Sequence, residues 1–167
     1  MTGLFTIGYE GSKVADFLGR LQAAGIDVLV DVRELPLSRR RGFSKTQLAS
    51  LLEQHGIRYM HKRELGAPRK IRHELRETGD YRAYFARFNA YLRTQRAALE
   101  RLIEECVGGV ALMCFERDPK ECHRSAVARE LARLTDLSPI HLDVEERRGH
   151  LPEATSMRPR QGLSAAK

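Results

Sequence analysis

The sequence is short of cysteine, has no long apolar run and shows no compositional bias. Three cysteines in 167 residues, an odd number, exclude a disulfide scaffold. They point to reduced thiols, so a cytoplasmic location is expected. No apolar run approaches the length that spans a bilayer, and the first residues lack the basic-then-apolar layout of a signal peptide. No membrane association is therefore expected. A hydrophobic share of 42% against 31% charged residues excludes a wholly disordered chain and a collagen. The length suits one domain around a single core. The net charge is +7, and more than half of it falls after residue 146, where five cationic residues face Glu153 alone. A basic chain invites a nucleic-acid partner, but charge gathered in a tail serves solubility equally well.

The hydrophobic period switches repeatedly between strand and helix. Leu4–Tyr9, Asp27–Arg33, Ile57–His61, Gly109–Glu116 and Pro139–Asp143 read as five strands. Helical spacing follows the first strand over 14–24, with Ser12 as a cap. Phe43, Ser44 and Gln47 write a staple and capping box for a helix that Gly56 ends. Residues 66–79 read as a long excursion, and aromatic and leucine spacing marks one long helix from Tyr81 to about Cys106. Asp118-Pro119-Lys120-Glu121 is a second capping box and predicts a helix from Pro119. The expected fold is therefore α/β: a single domain over 1–145, with a mostly parallel sheet of about five strands and helices on both faces. A flexible basic C-terminal tail is expected over 146–167, where periodicity stops.

Open α/β sheets bind ligands beyond the carboxyl ends of their strands. The first strand ends in Gly8-Tyr9-Glu10-Gly11, a tight turn that is neither a Rossmann nor a Walker motif. The second ends in Asp31-Val32-Arg33. Asp31 and Arg33 share a face, placed either to pair with each other or to hold a ligand. Ser38-Arg39-Arg40-Arg41 follows, a solvated charge run or a set of phosphate-binding forks. The fourth strand leads into the densest cluster of reactive types: Cys114, Glu116, Cys122, His123 and Arg124. Cys114 and Glu116 alternate onto one face. The phase of Val127 and Leu131 turns His123 inward, where its ring needs a partner such as Glu116 or a main-chain acceptor. A helix start and a nearby arginine would lower the pKa of Cys122 or Cys114. Cys114, Cys122 and His123, with Glu116 or His61 as a fourth, also compose a ligand set. Their spacing matches no zinc pattern of paired short spacers, and adjacent residues rarely ligate one ion, so neither metal nor other cofactor is expected.

Two resemblances rest on these residues. Leu29-Val30-Asp31-Val32-Arg33-Glu34 and Arg124-Ser125-Ala126-Val127-Ala128 resemble the opening strand and the arginine-serine helix of rhodanese domains. The spacing departs from theirs: nine residues separate Cys114 from Arg124, and one separates Cys122 from Arg124. The likeness therefore concerns topology. Thr6-Ile7-Gly8-Tyr9, Val30-Asp31-Val32-Arg33, Phe43-Ser44, Gly56-Ile57-Arg58-Tyr59, Glu64-Leu65-Gly66 and Cys114-Phe115-Glu116 through Cys122-His123-Arg124 resemble the family of the domain of unknown function 488. That likeness runs over about residues 4–143. It departs at Tyr9-Glu10, where many members carry His-Ser, and it implies a site location without a reaction.

The expected function is that of a small enzyme-like protein. It would bind a phosphate-bearing ligand, either a nucleotide or a nucleic acid, with Tyr9, Asp31, Arg33, Arg39 and Arg124 on the ligand side. Glu116 and His123 would act as acid and base, and Cys114 or Cys122 would supply a thiolate. A non-catalytic nucleic-acid-binding module and a rhodanese-like sulfur-transfer or thiol redox protein are the alternatives. The oligomeric state is left open.

Overall fold

The structure, a computed structural model, describes residues 1–144; the boundary expected at residue 145 and the tail over 146–167 lie outside the described residues. Five strands form one sheet: β1 (Gly3–Gly8), β2 (Val28–Asp31), β3 (Arg58–His61), β4 (Gly109–Cys114) and β5 (Ile140–Leu142). Their spatial order is β3-β2-β4-β1-β5, and every neighbouring pair is parallel. β4 is central and buried along its whole length, as its unbroken apolar run requires.

Six α-helices cover the sheet: α1 (Val14–Ala23), α2 (Lys45–Gln54), α3 (Arg69–Thr78), α4 (Tyr81–Arg93), α5 (Arg96–Glu105) and α6 (Arg124–Thr135). The two-residue alternation along the strands sorts the core into two layers. Leu29, Ala111 and Met113 pack with Phe17, Leu21, Leu48 and Leu52 of α1 and α2. Val28, Val30, Leu112 and Cys114 face the opposite way, against Phe88, Leu99, Leu102, Val127 and Leu131 of α4, α5 and α6.

Three expected elements differ. The excursion at 66–79 holds α3, which starts after Pro68 and stops at Gly79 in the left-handed region, φ 66°. None of its side chains is fully buried; Ile71 and Leu75 only lean on the core, so the helix is periodic but too polar overall to stand out as an apolar stripe. The long helix expected to Cys106 breaks at Thr94 and Gln95, whose N–H groups turn back to the carbonyls of Tyr91 and Leu92. The apolar stripe survives the break because both pieces pack on the same core layer. The third difference lies beyond β4. Asp118 does cap, accepting from the Lys120 N–H, but it starts only a 3₁₀ turn over Pro119–Glu121. Cys122 is then extended (φ −120°, ψ 134°), His123 is the N-cap, and α6 opens at Arg124. The other capping box is also redirected. The Ser44 hydroxyl donates to the Ser38 carbonyl, and Gln47 accepts from the Gly42 N–H.

Candidate functional site

Asp31 is the last residue of β2 and is fully buried, and Arg33 folds back onto it. The carboxylate accepts from the Arg33 main-chain N–H at 3.0 Å, from Nε at 2.8 Å and from Nη2 at 2.6 Å. The Tyr59 hydroxyl of β3 donates to it as well, at 2.7 Å. A charge taken out of water is tolerated where pairing and hydrogen bonds are this complete. Arg33 Nη1 donates to the Tyr9 hydroxyl at 2.8 Å, and the guanidinium lies 5.2 Å from the centre of the Tyr9 ring. Phe43 stacks on that ring at 4.4 Å, and Phe115 meets it edge-on at 5.4 Å. His61 Nε2 lies 2.9 Å from the Arg33 carbonyl and donates to it. Burial alone would lower the Arg33 pKa, but Asp31 and Tyr9 hold it above the ordinary arginine range. Burial and the Asp31 charge raise that of Tyr59. Arg33 is thus a cation held in place by Asp31 and Tyr9.

The end of β4 is built differently. Cys114 donates to a Glu116 carboxylate oxygen at 3.2 Å, and its sulfur lies 3.8 Å from His123 Nδ1. Ligand-type atoms of Cys114, Glu116, Cys122 and His123 all lie within 4.8 Å of one another. His123 Nε2 lies 2.8 Å from the Val32 carbonyl at the end of β2, and Phe88 packs edge-on against its ring at 5.2 Å. The main-chain acceptor anticipated for His123 is therefore Val32. Burial alone would lower the His123 pKa, but Cys122, the Val32 carbonyl and Glu116 hold it up. Burial alone would raise the Glu116 pKa; hydrogen bonding from Cys122 and from the main chain, with the His123 charge, carries it below the usual carboxylate value.

The expectation of an activated thiol is corrected here. Burial pushes the pKa of Cys114 up, and that of Cys122 further. Cys122 precedes α6 instead of lying within its first turns. Arg124, 1% exposed, is turned toward the main chain. It donates to the carbonyls of Glu116 and Arg117 and reaches Thr6 Oγ1 at 3.4 Å. Its role is to fasten the loop after β4 onto α6.

A cavity of about 640 Å³ opens over these strand ends. Of the expected site residues, Tyr9, Arg33, Arg39, Cys114, Glu116 and His123 line it. Asp31, Cys122 and Arg124 do not; they stand behind the wall as supports. The sequence reading missed Arg72, Arg76 and Tyr84, which α3 and α4 bring to the rim. The four-residue spacing of Arg72 and Arg76, in step with Ile71 and Leu75, was the available signal. Two glycines let this edge close. A Cβ on Gly8 would lie 1.9 Å from the Glu116 carbonyl oxygen, and one on Gly66 would lie 2.4 Å from the Glu34 nitrogen.

The model of the family described as domain of unknown function DUF488 matches residues 13–131. The chain belongs to that family. The match takes in both strand ends, from Asp31 and Arg33 to His123 and Arg124, and begins after Tyr9. No curated protein and no solved structure matches the chain. Within this DUF488 chain, the site is defined by its own geometry: a fixed arginine at one strand end and a nest of lone pairs at the next.

Proposed function

We propose that this DUF488 protein is enzyme-like and binds a phosphate-bearing ligand, a nucleotide or a nucleic-acid end, in the cavity over the carboxyl edge of the sheet. The observation that carries this reading is the convergence of five arginines on one cavity that, among the described residues, is lined by two acids. Arg33, Arg39, Arg40, Arg72 and Arg76 line it with Glu34 and Glu116. Arg33 is fixed by Asp31 and supplies field without a conformational search. Arg72 is paired with Glu34, and Arg40 is tied to the Ser12 carbonyl. Arg39 is exposed and has no partner among the described residues, so its fork is free for phosphate oxygens. Apolar groups share the lining, namely Leu35, Leu37, Tyr84 and Phe115, and Leu35 and Leu37 are largely exposed. Cationic and apolar groups lining one cavity suit a ligand that carries both a phosphate and a ring. Glu116 and His123, at the floor, are the groups for proton transfer.

Titrating the full chain with adenosine monophosphate and with adenosine tests the reading. The nucleotide should bind and the nucleoside should not. Arg39→Ala should weaken the nucleotide about tenfold, the worth of one charge-assisted hydrogen bond. Equal binding of both probes, or of neither, would sink it.

A non-catalytic nucleic-acid module is the second reading. Arg40 and Arg41, with Lys13, also line a neighbouring cavity of about 790 Å³, so the arginine loop bridges two concave surfaces. An oligonucleotide lying across both would bind with a steep salt dependence. It would also ignore the loss of Glu116. Sulfur transfer gains no such support, because both thiols are buried and Arg124 is spent on carbonyls.

A further inference from the structure

We propose that Cys114, Glu116, Cys122 and His123 form a binding site for one divalent metal ion of the zinc class. The site does not depend on the phosphate reading; with an ion bound, Glu116 and His123 are its ligands, and the proton-transfer role given to them above belongs to the ion-free chain. Two sulfurs, an imidazole nitrogen and a carboxylate are the donor set that borderline-soft ions such as zinc prefer. In a tetrahedral zinc site the metal lies about 2.3 Å from sulfur and about 2.0–2.1 Å from nitrogen or oxygen, which puts neighbouring donors about 3.3–3.8 Å apart. The Cys114 sulfur stands 3.2 Å from the Glu116 oxygen and 3.8 Å from His123 Nδ1, and all four donors lie within 4.8 Å of one another. The cluster is already near the size that an ion would impose.

The second observation concerns the ring. His123 Nε2 donates to the Val32 carbonyl at 2.8 Å, so in the neutral ring, the form that ligates a metal, Nδ1 carries the lone pair. That lone pair faces the sulfurs. A ligating histidine is commonly oriented in this way by a carbonyl on its far nitrogen. Phe88 fixes the same ring from the side, at 5.2 Å. The objection from sequence was that Cys122 and His123 are adjacent. The backbone removes it. Cys122 is extended and His123 is helical (φ −59°, ψ −22°), so the turn between them sends both side chains inward. No arginine or lysine pairs with the Glu116 carboxylate among the described residues, since Arg124 is directed to its carbonyl instead. Binding would form two metal–sulfur bonds and release two thiol protons to solvent. Cys114, Cys122 and His123 are buried, whereas Glu116 is partly exposed and lines the cavity. Glu116 is therefore the ligand that water can replace.

The test is a titration of the reduced, metal-stripped full chain with cobalt(II), followed by displacement with zinc(II). The expected result is one cobalt per chain with a thiolate-to-cobalt charge-transfer band, bleached by one equivalent of zinc. Cys122→Ser should abolish the band. Glu116→Gln, which keeps the shape, should retain it with at least tenfold weaker binding. Cys106→Ser should leave it intact, because that buried thiol sits elsewhere, 3.8 Å from the Met60 sulfur. Absence of a thiolate band on the unmutated chain would overturn the proposal without any variant having to fold. A band that survives Cys122→Ser at full strength, or that is lost with Cys106→Ser, would overturn it as well.

Discussion

The carboxyl ends of β2 and β4 are neighbours, and they are built on opposite plans. At the end of β2 the buried acid meets its cation within the chain: Asp31 accepts from Nε and Nη2 of Arg33, and Tyr59 completes its shell. At the end of β4 the buried groups are mostly lone-pair donors, and Glu116 has no ion pair among the described residues. The first plan is closed and produces a rigid arginine. The second is open and is completed from outside. Removing a partner should therefore hurt the first end at once, whereas the second end should gain when a cation arrives.

The largest effect is expected at Asp31. Asp31→Ala leaves Arg33 buried at 6% exposure without its counter-charge, which should cost about 3–5 kcal/mol. Thermal unfolding should fall by roughly 10 °C or more for a domain of this size. A loss of only a degree or two would mean that water reaches Arg33 and that the closed plan is wrong. Next comes the open end. Zinc at a hundredfold excess over its dissociation constant should raise the stability of the unmutated chain by about 2.7 kcal/mol, and that of Cys122→Ser not at all. Denaturant titrations with and without zinc read the difference. Gly8→Ala, at the seam where β1 meets the loop after β4, should cost about 1–3 kcal/mol by overpacking against the Glu116 carbonyl. The smallest effect on stability belongs to Arg39→Ala, within about 0.5 kcal/mol, because the side chain is exposed and has no partner among the described residues. Its effect on nucleotide affinity should be about tenfold, and calorimetry on one sample reads both numbers.

Both strand ends were legible in the sequence for one reason. The two-residue alternation that makes Val30 and Val32 core also puts Asp31 and Arg33 on a shared face, and the same logic pairs Cys114 with Glu116. The inward direction of His123 was legible too, since Val127 and Leu131 set the phase of α6. What failed was punctuation. Asp118-Pro119 is a true cap signal, but tertiary packing ends its turn after Glu121, and that extended step at Cys122 is what gathers four donors. Arg72 and Arg76 were overlooked because α3 is so polar, resting on Ile71 and Leu75, that its four-residue spacing did not read as a packed helix. Arg124 carried a misleading signal. Arginine beside cysteine and histidine suggests an anion site, yet its donors are absorbed by the carbonyls of Glu116 and Arg117.

Amide chemical-shift mapping of the nitrogen-15-labelled full chain during titration with adenosine monophosphate asks whether the cavity over the carboxyl edge takes the nucleotide. Saturable shifts are expected at the carboxyl edge, over Tyr9–Gly11, Val32–Arg40 and Phe115–Glu116, with none from adenosine at the same concentration. Shifts confined to the neighbouring cavity at Lys13, Thr46 and Ser50, or no saturable shift from the nucleotide, would contradict that expectation.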